Sequence, residues 1–382
     1  MSAIEPFRVS IPDPVIDDLR RRLGATRWPN EPTSRPWQFG TDLTWMRDVA
    51  TYWKDRYDWR ASEARLNAFT HFRAEIDGRK VHFIREIGSG DNPMPLILTH
   101  GWPGSIVEFL DVIDPLAHPE RHGGDERNAF TVIVPSLPGY GFSDDPEGPI
   151  AAAEIAVLWS RLMSDVLGYE TYVAQGGDWG GIVTGHLGLL QPQGLAAIHL
   201  NIAALQPADD PNVPLTPAEV DWKRDDAARR SDLMGYRWIQ GTRPQTLAYG
   251  LMDSPVGLAA WILEKFHDWT IRGSPAAPPF SIDTLLTNVM LYWLHGINPA
   301  NWMYVSLLDA NARTIPKGRR VAVPTGFLFA PKDLGLAPPD SWLARGFDVR
   351  HRTDAPTGGH FFALECPQMF VDDVRAFFAG YR

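Results

Sequence analysis

Residues Val173-Ala174-Gln175-Gly176-Gly177-Asp178-Trp179-Gly180-Gly181 constrain the fold of this chain more than any other stretch. A short β-like run, Thr171 to Ala174, enters it, and a helical pattern, Ile182 to Leu190, leaves it. Between them Gly-x-Asp-x-Gly has the shape of a nucleophile elbow with aspartate in the place of serine. A side chain at 176 or 180 would collide with neighbouring backbone, so glycine there permits a tight strand-to-helix turn. The turn lifts Asp178 above a sheet and sets a helix N-terminus beneath it, where a carboxylate is stabilised. The competing account is a glycine-rich turn with a solvated aspartate. A phosphate cradle is disfavoured, because no Lys-Ser/Thr pair follows.

The surrounding chain decides between these accounts. Strand signals begin at Phe69, and Asp77-Gly78 joins two alternating runs as a hairpin. A buried-looking strand, Pro95 to Thr99, ends in His100-Gly101-Trp102-Pro103-Gly104-Ser105 and a helix through Leu116. Further strands are read at Phe130 to Val134, Leu195 to Ile202, Val323 to Phe329 and Phe347 to Arg352. Helices are read at Ala151 to Leu167 and at Met369 to Phe378, where Phe370, Val374, Phe377 and Phe378 share one face. This alternation predicts an α/β fold with a mostly parallel central sheet and helices on both faces. Catalytic groups then belong at the strand C-termini.

Two segments break the alternation. Residues 1–66 read as a helical preamble with no strand of its own. Asp13-Pro14 caps a helix stopped by Gly24, a proline-broken stretch runs from Trp28 to Trp37, and Leu43, Met46, Ala50, Trp53 and Tyr57 recur at helical spacing. Residues 206–318 read as a helical insertion, opened by the capping box Thr216-Pro217-Ala218-Glu219 and lying as a lid over the elbow. The expected division is therefore 1–66, a first core segment 67–205, the lid 206–318 and a second core segment 319–382.

Net charge of −10 argues against a nucleic-acid partner. The single cysteine, Cys366, excludes an intrachain disulfide and suits a reducing compartment. No basic segment followed by an apolar run opens the sequence, and no stretch approaches the length of a membrane span. The expectation is a soluble, cytoplasmic protein without a membrane anchor. Oligomeric state stays open, with a homodimer served by exposed tryptophans among the fifteen present.

An elbow nucleophile calls for an acid beyond a late strand and a histidine beyond the last one. Asp333, in Ala330-Pro331-Lys332-Asp333-Leu334, and His360, in Gly358-Gly359-His360-Phe361, fall at those places. Asp340 and Asp354 are rivals for the acid, with Asp333 preferred. The Trp102 and Trp179 backbone N–H groups are positioned to share one oxyanion, and Pro103 can hold its loop through a cis bond. Aspartate, already anionic at neutral pH, can displace a leaving group at saturated carbon without a base. The resulting enzyme ester then needs a histidine-activated water and an oxyanion hole. Epoxides or alkyl halides are the natural substrates of such an elbow. Opening an epoxide also requires a proton donor for the alkoxide, and a tyrosine hydroxyl suits it. Tyr236, Tyr249, Tyr292 and Tyr304 are all available in the lid.

These motifs resemble those of the microsomal-type epoxide hydrolases of the α/β-hydrolase fold, and the resemblance covers nearly the whole chain. It rests on Phe7-Arg8-Val9 to Arg27-Trp28-Pro29, His100-Gly101-Trp102-Pro103-Gly104-Ser105, Gly176-Gly177-Asp178-Trp179-Gly180, Gln245-Thr246-Leu247-Ala248-Tyr249-Gly250, Asp253-Ser254-Pro255-Val256-Gly257-Leu258 and Gly358-Gly359-His360-Phe361. The resemblance implies that Tyr236 and Tyr304 are the paired tyrosines, that Asp333 is the acid, and that the N-terminal meander wraps the core and pins the lid. It implies a small-molecule epoxide as substrate and neither metal nor organic cofactor. Two departures stand out: the membrane anchor of the animal enzymes is missing, and Glu365-Cys366-Pro367 replaces the usual Glu-Glu/Gln-Pro. A haloalkane dehalogenase using the same aspartate, or a non-catalytic ligand-binding relative, remains as an alternative.

Overall fold

Strands without a polar face dominate the centre of the molecule, and they order the rest. In the computed structural model, which describes residues 4–32, 35–271 and 277–382, nine strands form one sheet. They are β1 (Ile4–Phe7), β2 (His71–Ile76), β3 (Arg79–Glu86), β4 (Met94–Thr99), β5 (Phe130–Pro135), β6 (Tyr172–Gly176), β7 (Leu195–Leu200), β10 (Val321–Phe329) and β11 (Phe347–Asp354). A separate pair, β8 (Gln206–Pro207) and β9 (Thr314–Ile315), completes the set. The sheet order is β1-β2-β3-β5-β4-β6-β7-β10-β11. β1, β2 and β3 run antiparallel up to β5, and all later pairings are parallel. Every residue of β5 and β6 is buried, as strands covered on both faces require.

The helical preamble comprises α1 (Asp13–Gly24), α2 (Leu43–Asp55) and α3 (Trp59–Leu66). Two expectations are corrected here. The segment does carry a strand: β1 pairs antiparallel with β2, from Ile4 opposite Ala74 to Phe7 opposite His71. Its four residues, including Pro6, are too short to show alternation, and proline is tolerated because β1 is an edge. Asp13 is the first helical residue rather than the cap, and its carboxylate accepts from the Arg60 guanidinium. Residues 33 and 34 of the proline-broken stretch, and 272–276 farther on, lie outside the described residues.

Helices α4 (Leu110–Ala117), α5 (Ala152–Arg161), α6 (Asp178–Leu190), α13 (Asp340–Gly346), α14 (Phe362–Glu365) and α15 (Pro367–Phe378) cover the sheet. Phe370, Val374, Phe377 and Phe378 are all buried, so the apolar face read from sequence is the packed one. Between β7 and β10 stand α7 (Pro217–Arg230), α8 (Gly235–Thr242), α9 (Pro244–Asp253), α10 (Pro255–Asp268), α11 (Ile282–His295) and α12 (Asn298–Ser306). The capping box forms at α7: Thr216 Oγ1 accepts from Glu219 N, and Glu219 Oε2 accepts from Thr216 N. Preamble and insertion meet directly, since Thr41 Oγ1 donates to Ala260 O at 2.8 Å and Tyr57 Oη lies 3.0 Å from Thr287 Oγ1. Among the described residues no single helix is long and apolar enough to cross a membrane.

Candidate active site

β4 and β6 are neighbours near the middle of the sheet, and their C-terminal ends deliver His100–Trp102 and Asp178 side by side. Asp178 opens α6 with a φ of 49°, a left-handed conformation that a non-glycine residue adopts only at a cost. The glycines around it have no substitute. A Cβ at Gly176 would stand 2.2 Å from Gly180 O, and one at Gly180 would stand 1.9 Å from Thr99 O. Gly101 is equally constrained, because a Cβ there would meet Asp178 Oδ1 at 2.2 Å. In return the Trp102 N–H donates to Asp178 Oδ1 at 2.8 Å. The Trp179 N–H belongs to the first turn of α6, where amides have no intrahelical acceptor. The Trp102–Pro103 bond is cis.

The loops after β10 and β11 are tied together by Lys332 N, which donates to Gly358 O at 3.1 Å. That tie sets Asp333 against His360, and Nδ1 of the imidazole lies 2.6 Å from Asp333 Oδ1. On the other edge Nε2 lies 3.3 Å from Asp178 Oδ2, out of line for a hydrogen bond. The His360 N–H donates to Trp269 O at 2.7 Å, and the Glu365 carboxylate accepts from Gly359 N and Ile271 N. Asp340 and Asp354, the rival acids, instead pair with Arg352 at 2.8 Å each. Burial disfavours charge on His360, but the Asp333 carboxylate and then Asp178 outweigh it and raise the imidazole to about 10.

The four tyrosines of the helical insertion separate clearly. Tyr249 is 72% exposed, and the Tyr292 hydroxyl donates to Gly104 O at 2.6 Å. Tyr236 stacks on Trp102 with centroids 4.9 Å apart, while Tyr304 stands edge-on to Trp179 at 5.1 Å and to Tyr236 at 5.6 Å. α8 and α12 bring the two rings together by close approach, since a Cβ at Gly241 would lie 3.1 Å from Tyr304 O. The Tyr304 hydroxyl has no hydrogen-bond partner among the described residues. Burial, and after it the negative charge of Asp178, pushes the Tyr236 phenol up; for Tyr304 burial again leads, followed by its neighbour Tyr236. Both hydroxyls therefore remain protonated donors.

Asp178 lines two cavities. One, of ≈ 40 Å³, lies on the tyrosine side with Trp179, Tyr236, Tyr304 and Leu334. The other, of ≈ 20 Å³, lies on the His360 side with Thr99, Glu108 and Asn201. A roomier cleft of ≈ 330 Å³ runs between the preamble and α10, but Asp178 and His360 do not line it. Sequence reading missed Glu108, whose only signal was glycine four residues earlier. It also missed Arg313, on the wall of the tyrosine-side cavity, where burial and then the neighbouring Arg237 and Arg230 lower the guanidinium to about 10.

Residues 4–109 match the family model described as the epoxide hydrolase N terminus, and residues 94–236 match the alpha/beta hydrolase fold. A Stigmatella aurantiaca protein named as a candidate epoxide hydrolase is 41% identical over 99% of this chain and 86% of its own length. Epoxide hydrolase 1 of Oryctolagus cuniculus is 31% identical over 98% of this chain and 88% of its own. The crystal structure of juvenile hormone epoxide hydrolase from the silkworm Bombyx mori superposes with a TM-score of 0.88 at 30% identity, covering 100% of this chain and 95% of that one.

Proposed function

The chain belongs to the microsomal-type epoxide hydrolase family, with the α/β-hydrolase fold, and we propose that it converts a small epoxide to a vicinal diol through an alkyl ester on Asp178. In the first step Asp178 attacks an oxirane carbon while Tyr236 and Tyr304 donate to the ring oxygen. In the second, water deprotonated by His360 attacks the ester carbonyl, Asp333 orients the imidazole, and the Trp102 and Trp179 amides hold the oxyanion. On this reading residues 206–318 act as the lid carrying both acids, and residues 1–66 as the meander that holds it against the core segments 67–205 and 319–382. The lone thiol of Cys366 accords with a cytoplasmic setting.

The observation that carries the reading is the placement of Asp178 between two cavities, one with the tyrosines and one with His360. A nucleophile that is alkylated from one side and hydrolysed from the other requires that arrangement. The electrostatics support the order of steps. His360 is held protonated in part by the Asp178 charge; alkylation neutralises Asp178, lowers the imidazole pKa and frees Nε2 to act as base.

Intact mass of a His360→Gln variant after incubation with small epoxides and haloalkanes tests this directly. The expected result is a gain of one whole epoxide, lost when Asp178→Ala is added. A gain of an alkyl group from haloalkanes alone would transfer the chemistry to halide displacement.

A further inference from the structure

The tyrosine-side cavity holds more positive charge than the ester mechanism uses. Arg230, Arg237 and Arg313 line it together with Asp178, Tyr236 and Tyr304. Two arginines of this region are already committed: Arg230 Nε donates to Asp226 Oδ2 at 2.7 Å, and the Arg229 guanidinium donates to Asp333 O. Arg237 and Arg313 have neither a side-chain hydrogen bond nor an ion pair among the described residues, and none of their nitrogens is sealed from open space. Asp178 is the sole carboxylate among the described residues that line this cavity.

The two free guanidinia come from opposite ends of the helical insertion. Arg237 follows Tyr236 on α8, so phenol and cation leave the same turn. Arg313 immediately precedes β9, which pairs with β8 in the small separate sheet. Its carbonyl accepts from Gln206 N at 2.8 Å, and the preceding Ala312 O lies 3.1 Å from Nε2 of His186 on α6. The elbow helix and the β8–β9 pair thus fix the backbone from which Arg313 reaches the cavity. Burial, and then the like charges of Arg237 and Arg230, lowers its guanidinium to about 10, which leaves it cationic at neutral pH. A cation drawn partly out of water is costly unless an anion answers it. Asp178 opposes that lowering, and on the ester reading alkylation removes its charge.

We propose that Arg237 and Arg313 form an anion subsite, and that the substrate is a compact epoxide carrying a carboxylate a few carbons from its ring. The inference rests on the ester mechanism above and names the substrate class for it. A planar guanidinium matches the two oxygens of a carboxylate. The cavity that Asp178 shares with both cations measures ≈ 40 Å³, which leaves little room for a longer spacer. Bound there, the carboxylate keeps the cations paired while Asp178 is an uncharged ester. Anchoring one end of the molecule also orients the oxirane between Asp178 and the tyrosines.

The test compares glycidate, 3,4-epoxybutanoate and 4,5-epoxypentanoate, each with its uncharged primary amide. In the wild type kcat/KM for the preferred acid is expected to exceed that of its amide by about 100-fold or more. Arg313→Gln and Arg237→Gln should each lower that ratio about tenfold, and Arg313→Lys should retain more of it than Arg313→Gln. Partial unfolding scales acid and amide alike, so the ratio reports the subsite alone. A wild-type ratio below about threefold, or one that neither glutamine variant lowers, overturns the proposal. Calorimetry of the wild type with the ring-opened dihydroxy acids and dihydroxy amides reads the subsite without turnover, the acids being expected to bind about tenfold tighter or more. Acid preference in binding without turnover of any epoxide overturns the hydrolase reading and upholds the subsite. Turnover with no acid preference in rate or binding overturns the subsite alone.

Discussion

His360 stands between two carboxylates, 2.6 Å from Asp333 and 3.3 Å from Asp178, and this single placement governs both charge and chemistry. With a folded pKa of about 10 against an ordinary 6.5, it retains a proton that the unfolded chain has released across that interval. Its contribution to stability is therefore complete below about pH 6.5 and lost as pH rises through about 10. Glu108, raised from 4.5 to about 8, acts in the same direction: its protonated folded form loses ground as pH rises through that window. Unfolding free energy measured in urea should thus fall from pH 7 to 10, with a slope steeper by about one proton than that of His360→Gln; equal slopes would contradict the raised imidazole. At the proposed acid pair, Tyr304→Phe should slow ester formation about 10²-fold or more and leave ester hydrolysis within threefold. Tyr249→Phe, at a hydroxyl on a 72% exposed residue, should change neither rate in the same rapid-mixing experiment.

At the scale of single elements, the turn between β6 and α6 is set by what cannot fit. Gly180→Ala would drive a methyl to 1.9 Å from the Thr99 carbonyl oxygen, and backbone cannot yield as a flexible side chain can. A loss of about 3 kcal/mol or more is expected, read as the urea midpoint at constant slope. Gly250, inside α9, has nothing within 4 Å of its would-be Cβ. Gly250→Ala should therefore stabilise by about 0.5–1 kcal/mol, because the only change is helix propensity. If both alanines behaved alike, the packing assigned to the elbow would be wrong. The elbow was legible in sequence for this reason: Gly176 and Gly180 flank Asp178 at positions where only glycine meets the steric demand. β1 was not legible, since Ile4–Phe7 is only four residues long and three of them are exposed, which leaves no periodic trace.

Across the whole molecule, the preamble is fastened to the helical insertion by ties of unequal worth. Arg22–Asp253, at 2.9 Å, and Tyr52–Asp283, also at 2.9 Å, are exposed. The buried trio of Tyr57, Ser62 and Thr287, with contacts of 2.9 to 3.0 Å, is not. Arg22→Ala should cost about 0–1 kcal/mol, less at high salt, and Tyr57→Phe about 1 kcal/mol regardless of salt. Urea titrations at two ionic strengths distinguish them.

The sequence alone determined the alternating α/β core, the elbow with its aspartate, and the order Asp178, Asp333, His360, because strand periodicity and glycine sterics act within a few residues. Tertiary structure decided what depends on meetings between distant segments. Spacing alone left Tyr236 and Tyr304 among four tyrosines until the family resemblance singled them out, and it left Asp333 merely preferred over Asp340 and Asp354; the packing above the strand ends gives the physical difference between them. It also turned Glu108, an ordinary polar residue in a helical pattern, into a buried acid beside Asp178 and His360. Spacing along a chain cannot report such an environment, since burial and the charges that surround a group are set by residues far away in sequence.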